Sequence, residues 1–408
     1  MSADTQNKTL LRVEGNYAAV QGSFWISNCS IRTYLAVFLT WRGFSDAEIG
    51  YTTSLLYITA IVLQLLISNW SDHHRRTALK KTIAALTIAA MAGGAVLWLL
   101  PLPVLLMMLV YVVTTACDSS IDGLNNALMM QYVNGGLPVR YGWPRGIGSI
   151  AYAVVAYLLG LLIERFSPDV ILPCFLGLAA LALFCVLLMP APEHVCPAAP
   201  DRGPARPVAS YRQMLRGNPT LLLLLSACVV SGIGQASIGT FLIRLVERLG
   251  GGTAEYGVAT FISAGMELPV MLLSGRLLRR FKAKSLLLFS FFCTFVRLVL
   301  LGTAPSIGFL YLAMTFSIFC YGIYGFASVI FVNEIVRWDE KVRGQSLLSL
   351  CYTSGIGGIL GNLLSGVMLQ RFGVGPLMTV SAAFSLTGSF LMLLCWKRHA
   401  VQFPAPAQ

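Results

Sequence analysis

Six ionisable residues lie within or at the ends of long apolar stretches, although only 11% of the 408 residues are charged. Asp118, Asp122, Glu267 and Arg297 lie deep inside such stretches. Arg32 and Arg145 lie near the ends of two others. An ionisable side chain in hydrocarbon costs several kcal/mol, so it usually faces a bundle interior or an aqueous cavity, close to a partner. The chemistry expected at such positions is ion pairing, proton transfer and the binding of a polar solute.

Two of these residues, Asp118 and Asp122, are four positions apart and therefore share one face of a helix, which continues to Asn126. Two ionised carboxylates at this spacing repel each other. One of them is therefore expected to take up and release a proton, as a proton-coupled carrier requires. The alternative is that they form static ion pairs with Arg145 or Arg32.

A polar stripe precedes them in the first apolar stretch, where Gln21, Trp25, Asn28 and Arg32 fall on one helical face. This stripe predicts a cavity lining. The alternative is that Arg32 snorkels to the membrane surface while the other residues hydrogen-bond between helices.

Further along the chain, Arg145 and Tyr152 share a face near the start of the fifth stretch. A guanidinium beside an aromatic ring is typical of a sugar or ring clamp, with hydrogen bonds from one and a stacking face from the other. Glu267 and Arg297 lie on sequential stretches of the second half, and we expect them to neutralise each other as a switchable or a static pair.

The elements that must position these residues are membrane spans of about 20 mostly apolar residues. The chain is 56% apolar. About twelve segments meet the criterion: 16–40, 46–68, 78–99, 102–124, 145–164, 170–189, 219–243, 254–278, 284–302, 306–332, 345–367 and 374–396. The fold class predicted is an all-α polytopic membrane protein.

The longest polar stretch divides the chain into two equal halves. Residues 190–218 are rich in proline and arginine and read as a flexible cytoplasmic linker. We therefore predict an N-terminal six-helix bundle over 1–189 and a C-terminal six-helix bundle over 219–408, related by pseudo-symmetry.

The distribution of basic residues predicts the topology. With the N-terminus placed inside, 22 of the 29 Lys and Arg residues fall on the cytoplasmic side and five on the other. This is a strong positive-inside bias. It predicts a multi-pass protein of the cell inner (plasma) membrane with both termini in the cytoplasm.

Several function classes find no support in the sequence. The four histidines lie outside the spans, no CxxC pair occurs, and no phosphate-binding or nucleophile motif appears. We therefore expect no cofactor, no metal site and no enzymatic activity. The basic residues lie in short clusters between apolar stretches and follow no single helix face, so no nucleic-acid partner is expected. The expected partners are a small-molecule substrate, protons and the lipid bilayer, and the chain is expected to be monomeric.

These features together resemble the major facilitator superfamily (MFS) over essentially the whole chain. The loop from Ser68 to Arg76 is similar to the superfamily's Gly-x-x-x-Asp motif followed by basic residues, with Ser68 in the glycine position. The resemblance implies that this loop is a cytoplasmic latch, in which Asp72 and Arg76 act in gating.

Within the superfamily the chain is similar to the lactose permease and phenylpropionate permease branch. Four segments carry this resemblance: 121–125, 141–148, 265–268 and 296–297. It implies that Asp122, Glu267 and Arg145 bind substrate, that Arg297 serves coupling, and that Tyr152 stacks on the substrate. The His and Glu that the lactose permease carries in span 10 are missing from 316–324. A coupled proton would therefore be carried by Glu267, Asp118 or Asp122.

The function predicted is secondary active transport by alternating access, with proton-coupled uptake of a small polar solute such as a sugar or oligosaccharide bound near the midplane. Substrate contacts are expected from seven residues of the first half: Asp122, Arg145, Tyr152, Asn126, Trp25, Arg32 and Asp118. Coupling is assigned to the Glu267–Arg297 pair. The alternatives are an exporter of drugs or metabolites, a nucleoside or aromatic acid permease, and a non-transporting membrane sensor.

Overall fold

In a computed structural model of the chain, the described residues are 3–73, 78–134, 137, 142–190, 211–337 and 340–398. They are helical, and no strand occurs among them. The helices of the first part are α1 (Ala3–Asn28), α2 (Leu35–Trp41), α3 (Asp46–His73), α4 (Ala78–Leu99), α5 (Val104–Asn134), α6 (Gly142–Arg165) and α7 (Ile171–Leu188).

The second part continues the same architecture. Its helices are α8 (Tyr211–Gly217), α9 (Pro219–Arg248), α10 (Thr253–Arg280), α11 (Ala283–Gly302), α12 (Ile307–Thr315), α13 (Tyr321–Ile335), α14 (Lys341–Cys351), α15 (Ile356–Phe372) and α16 (Val374–Arg398). Seven residues of the predicted flexible linker form α8. Met214 of this helix buries its side chain in the hydrophobic core formed by the helices that follow.

Ten helical segments among the described residues are long and apolar enough to cross a membrane, or eleven if the bent helix α10 counts as one span. The all-α polytopic prediction is confirmed, whereas the number twelve is not reached by this criterion. The predicted first span, 16–40, is helical but broken: a π-helix over Cys29–Thr33 separates α1 from α2.

The chain forms two compact units, residues 1–44 with 55–203, and residues 45–54 with 204–408. Helix α3 therefore begins in the second unit, where Arg244 donates hydrogen bonds of 2.9 and 2.7 Å to Oδ1 of Asp46. A Cβ at Gly50 would lie only 2.5 Å from the Asn362 carbonyl oxygen and 3.0 Å from the Gly366 Cα, so glycine permits this close approach. The predicted division at a 190–218 linker stays a prediction.

Two further irregularities shape the second unit. Helix α10 bends by 53° between its segments Thr253–Glu267 and Leu272–Arg280, because Pro269 has no N–H for the helical ladder and its ring crowds the preceding turn. The span over 343–372 is interrupted between α14 and α15, where Tyr352 and Gly355 leave the helical conformation. Irregular backbone at membrane depth is tolerated only where protein or a cavity covers it.

Candidate functional site

The centre of the first unit is a buried carboxylate, Asp118, which is only 3% exposed. The amide nitrogen of Asn28 donates a 2.7 Å hydrogen bond to its Oδ2. The guanidinium of Arg32 is a further electrostatic partner of this carboxylate. Asn28 and Arg32 of the predicted polar stripe therefore both lie beside an acid of α5. Their role as a cavity lining stays a prediction.

The π-helix over Cys29–Thr33 carries Arg32 into this group. The Nη2 of Arg32 donates a 3.2 Å hydrogen bond to the Tyr57 hydroxyl, and its guanidinium carbon lies 5.4 Å from the centre of the Tyr57 ring. In the same π-helix, the Thr33 hydroxyl lies 2.7 Å from the Tyr152 hydroxyl. Single-turn π-segments inside α-helices are frequent at functional sites, because they rotate side chains away from the helical register.

An aromatic pair lies beside these polar residues. The rings of Trp25 and Tyr152 are 6.1 Å apart and nearly perpendicular. A Cβ at Gly148 would lie 2.6 Å from the Trp25 ring, so glycine at this position permits the indole to lie against α6. Aromatic faces beside hydrogen-bonding groups are suited to the apolar face and the polar rim of a sugar or another ring.

A chain of hydrogen bonds fixes Trp25 and extends to α5. The indole Nε1 of Trp25 donates to Gln21 Oε1 at 3.1 Å, and Gln21 Nε2 donates to the Tyr17 hydroxyl at 2.6 Å. The Tyr17 hydroxyl in turn donates to Asn126 Oδ1 at 3.5 Å. Asn126 therefore supports the aromatic pair through this network. Contact between Asn126 and substrate stays a prediction.

The neighbouring residues of α5 include one that sequence reasoning undervalued. Asn125 is fully buried, and neither its Oδ1 nor its Nδ2 has a hydrogen-bond partner. A buried unsatisfied amide costs about 1–3 kcal/mol and calls for an explanation such as a ligand or bound water. Asp122 lies one turn earlier and is half-buried. The Arg145 side chain lies outside the described residues, so its predicted clamp with Tyr152 and its pairing with Asp122 stay predictions.

In the second unit, Arg297 is almost completely buried, with 1% of its surface exposed. Its Nη2 donates to Ser263 Oγ at 3.3 Å and contacts Met314 Sδ at 3.2 Å, and its guanidinium carbon lies 5.6 Å from the centre of the Tyr321 ring. Its Nε and Nη1 have no hydrogen-bond partner. Such a site keeps two nitrogens of the guanidinium available as donors for an anionic group.

Glu267 lies on α10 one turn beyond Ser263, and it is half-buried. Both Glu267 and Arg297 are electrostatic neighbours of Cys320, so they approach the same region from different helices. Among the ion pairs of the described residues, none joins Arg297 to Glu267, since the guanidinium instead contacts Ser263 and Met314. The switchable pairing of the two residues stays a prediction.

A second polar–aromatic cluster surrounds the break between α14 and α15. The rings of Tyr324 and Tyr352 stack with centres 4.1 Å apart. The Gln235 side chain, 1% exposed, faces Tyr352, but neither of its amide atoms forms a well-aligned hydrogen bond. Gly232 permits this packing, because a Cβ there would lie 3.2 Å from the Gly357 Cα. In the sequence these residues are isolated polar side chains within apolar stretches. That pattern by itself indicates helix packing and not ligand contact.

The predicted gating residues Asp72, in the last turn of α3, and Arg76, beyond its end, cannot be placed in the site. The Asp72 side chain and the whole of Arg76 lie outside the described residues. Within the described part of the chain, no group of three or more His, Cys, Asp or Glu residues is arranged to hold a metal ion.

These helices can be compared with known proteins. A sequence profile described as the MFS_1 like family matches residues 24–380. The chain belongs to this family. The MFS resemblance predicted from the sequence is therefore confirmed, and the match covers all the intramembrane charged residues described above.

Two curated relatives show the same class of activity. The chain is 26% identical to a maltose permease of Geobacillus stearothermophilus over 363 residues, 87% of each chain. It is 25% identical to a probable 3-phenylpropionic acid transporter of Escherichia coli (strain K12) over 365 residues, 88% of this chain and 91% of the other. The second relative supports the predicted phenylpropionate permease branch.

Solved structures show the same fold. A mutant of the nucleoside transporter NupG superposes with a TM-score of 0.78 at 17% identity, covering 94% of this chain and 99% of that one. A D-xylose-proton symporter superposes with a TM-score of 0.65 at 15% identity, covering 92% and 95%. The protein is a multi-pass membrane transporter of the MFS type, and its relatives are transporters, not enzymes.

Proposed function

We propose that this MFS transporter takes up a small polar organic solute, a sugar or oligosaccharide, by proton-coupled alternating access. The observation that carries the proposal is the buried Asp118 carboxylate, which accepts a hydrogen bond from Asn28 and lies beside Arg32. A buried acid with a donor and a cation around it can exchange a proton with little rearrangement, as a proton relay requires.

The aromatic pair supports a ring-shaped substrate. Trp25 and Tyr152 offer apolar faces, while Gln21 and Thr33 hold them through hydrogen bonds. Asp118 and the unsatisfied amide of Asn125 supply acceptors and donors for hydroxyl groups. The similarity to a maltose permease is consistent with a sugar.

Coupling is proposed to rest on Asp118, with Glu267 as the second carboxylate. Glu267 and Arg297 would then pair in one state of the cycle and separate in another. In the arrangement described above, the Arg297 guanidinium contacts Ser263 and Met314, which is the arrangement expected for the separated state. The proposed topology has both termini in the cytoplasm, because the basic residues concentrate on that side.

A second candidate substrate is an aromatic carboxylate. The almost completely buried Arg297 retains two guanidinium nitrogens without hydrogen-bond partners and lies beside the Tyr321 ring. A guanidinium beside an aromatic ring is suited to a carboxylate attached to a ring. The similarity to a probable 3-phenylpropionic acid transporter is consistent with this alternative.

Uptake by purified protein in proteoliposomes tests both candidates. Radiolabelled maltose, other sugars and 3-phenylpropionate are offered with and without an inward pH gradient. Accumulation of a sugar that depends on the gradient supports the first proposal, and accumulation of the aromatic acid alone favours the second. If none of these solutes is accumulated and outward pumping is found instead, the protein is an exporter.

A further inference from the structure

An apolar groove of about 540 Å³ lies on the surface of the second unit between α11 and α16. The beginning of α11 meets the end of α16, so the two helices are antiparallel here. Phe289 and Phe292 line one side, and Leu386, Phe390 and Leu393 line the other. On each helix these residues recur at the spacing of a single face.

The side chains of the groove are not covered by the described part of the chain. Phe289 is 46% exposed, Phe292 51% and Phe390 58%. Both helices are long and apolar enough to span a membrane, so we expect these exposed rings to face lipid tails. A concave surface of large aromatic and aliphatic side chains holds an acyl chain with more contacts than a convex helix face does.

One end of the groove is polar and basic. The indole Nε1 of Trp396 donates a 3.1 Å hydrogen bond to Ser285 Oγ. Lys284 Nζ donates to the Trp396 carbonyl oxygen at 3.5 Å and lies 5.1 Å from the centre of the indole ring. Tryptophan and lysine in this arrangement are typical of the level at which a helix reaches the lipid headgroups.

Three more cations flank this end: Lys282, Lys397 and Arg398 are all exposed. Glu334 of α13 is a carboxylate in electrostatic range of Lys284. Four cations against this carboxylate leave a local surplus of positive charge among the described residues. This surplus is matched by an anionic headgroup and not by a zwitterionic one.

We propose that this groove is a binding site for an anionic phospholipid. An acyl chain lies against Phe289, Phe292 and Phe390, and the phosphate lies among Lys282, Lys284 and Lys397. The positive-inside distribution predicts that this end faces the cytoplasmic leaflet, where anionic lipids supply the charge. The lining residues of this groove are different from the residues proposed to bind the transported solute.

The test uses the full-length protein purified in detergent and titrated with phosphatidylglycerol or with phosphatidylcholine of the same acyl chains. Bound lipid is counted by native mass spectrometry, and thermal unfolding is recorded in parallel, because a ligand of the folded state raises apparent stability. The proposal predicts retention of phosphatidylglycerol over phosphatidylcholine by about tenfold or more. Equal retention of the two lipids would overturn it.

The variant Lys282→Gln/Lys397→Gln removes two exposed charges at the mouth, and we expect it to weaken phosphatidylglycerol binding about tenfold. The matched control Arg12→Gln/Lys81→Gln removes two exposed charges of the first unit and is expected to bind normally. An equal loss in the control would mean that total charge, not the groove, attracts the lipid, and would refute the site.

Filling the groove tests its apolar part. Leu386 is 47% exposed and faces the groove, so Leu386→Trp is expected to leave the fold intact and displace the acyl chain. Inorganic phosphate at the same concentration is expected to give no thermal shift, because it has no chain for the groove. Unchanged lipid retention in Leu386→Trp, or equal protection by inorganic phosphate, would contradict the proposal.

Discussion

Asn28 holds Asp118 through a 2.7 Å hydrogen bond from the amide nitrogen to Oδ2, and the two residues are 90 positions apart in the chain. The bond joins α1 to α5 at a point where both side chains are about 3% exposed. An acid at this depth needs such a donor, because a buried carboxylate without one would be strongly destabilising. The pair therefore links the stability of the first unit to the protonation of its central acid.

Removing the donor tests this link. Asn28→Ala leaves the Asp118 carboxylate without its amide partner, and we expect a loss of about 1–3 kcal/mol in the free energy of unfolding. Transport by this variant should also fall. Asn28→Ser retains a donor and should recover part of the lost stability and part of the lost transport.

The matched control is Asn16→Ala, since the Asn16 amide donates only a long, solvent-exposed hydrogen bond of 3.3 Å to the Leu188 carbonyl. Thermal unfolding at neutral pH is the measurement, and an unchanged melting temperature in Asn28→Ala would contradict the account.

The approach of Trp25 to α6 depends on Gly148. In Gly148→Ala the added methyl would lie 2.6 Å from the indole, so the ring must move away from Tyr152. The lost ring contact is worth about 1 kcal/mol, which corresponds to a rise of roughly fivefold in KM with little change in the maximal rate. Gly146→Ala on the same helix is the control, because a Cβ there meets no atom within 4 Å. Uptake measured over a range of substrate concentrations gives KM and the maximal rate of each variant. An equal effect of the two substitutions would exclude a specific role for Trp25.

We expect Arg297 to be required for transport although it lowers the stability of the folded protein. Its Nε and Nη1 are buried without partners, and an apolar side chain of similar length avoids the cost of burying them. We expect Arg297→Met to raise the free energy of unfolding by about 1–3 kcal/mol while abolishing accumulation of substrate. Arg371→Met, at an exposed position of α15, should change neither property. If Arg297→Met is destabilised and still transports, the residue has a purely structural role.

The contact of α3 with α15 requires glycine. A methyl group at Gly50 would lie 2.5 Å from the Asn362 carbonyl oxygen, which is backbone and cannot move aside cheaply. We expect Gly50→Ala to lower the free energy of unfolding by about 1–3 kcal/mol. At Gly375, in the first turn of α16, a Cβ meets nothing within 4 Å. Gly375→Ala should therefore be neutral in the same denaturation experiment, and a neutral Gly50→Ala would show that the helices are not tightly packed there.

The helices and the depth of the buried charges could be predicted from the sequence, because apolar length alone selects membrane spans. Helical spacing predicted a shared face for Asn28 and Arg32, and pairing of the α5 acids with Arg32 was one of the alternatives, but contact of this face with Asp118 was not predicted. The π-helix at Cys29–Thr33 could not be predicted, since its register depends on tertiary contacts such as the hydrogen bond of Thr33 with Tyr152.

Other parts of the site depended on contacts that a single sequence does not contain. Asn125 resembled any polar residue of a helix face until its amide was found without partners. The contacts of Arg297 with Ser263 and Met314 join residues of three helices. For Glu267, the sequence identified an acid within a span next to the span of Arg297, but not which side chains would contact the guanidinium.

The central claim is that Asp118 carries the transported proton, and accumulation in proteoliposomes with an imposed inward pH gradient tests it most directly. Asp118→Asn keeps the shape of the side chain and its position beside Asn28, so the variant should fold and still exchange substrate across the membrane at equal pH. We predict that it no longer accumulates substrate against a gradient, whereas Asp169→Asn, which alters a half-exposed acid paired with Arg42, accumulates it normally. Full gradient-driven accumulation by Asp118→Asn would contradict the account.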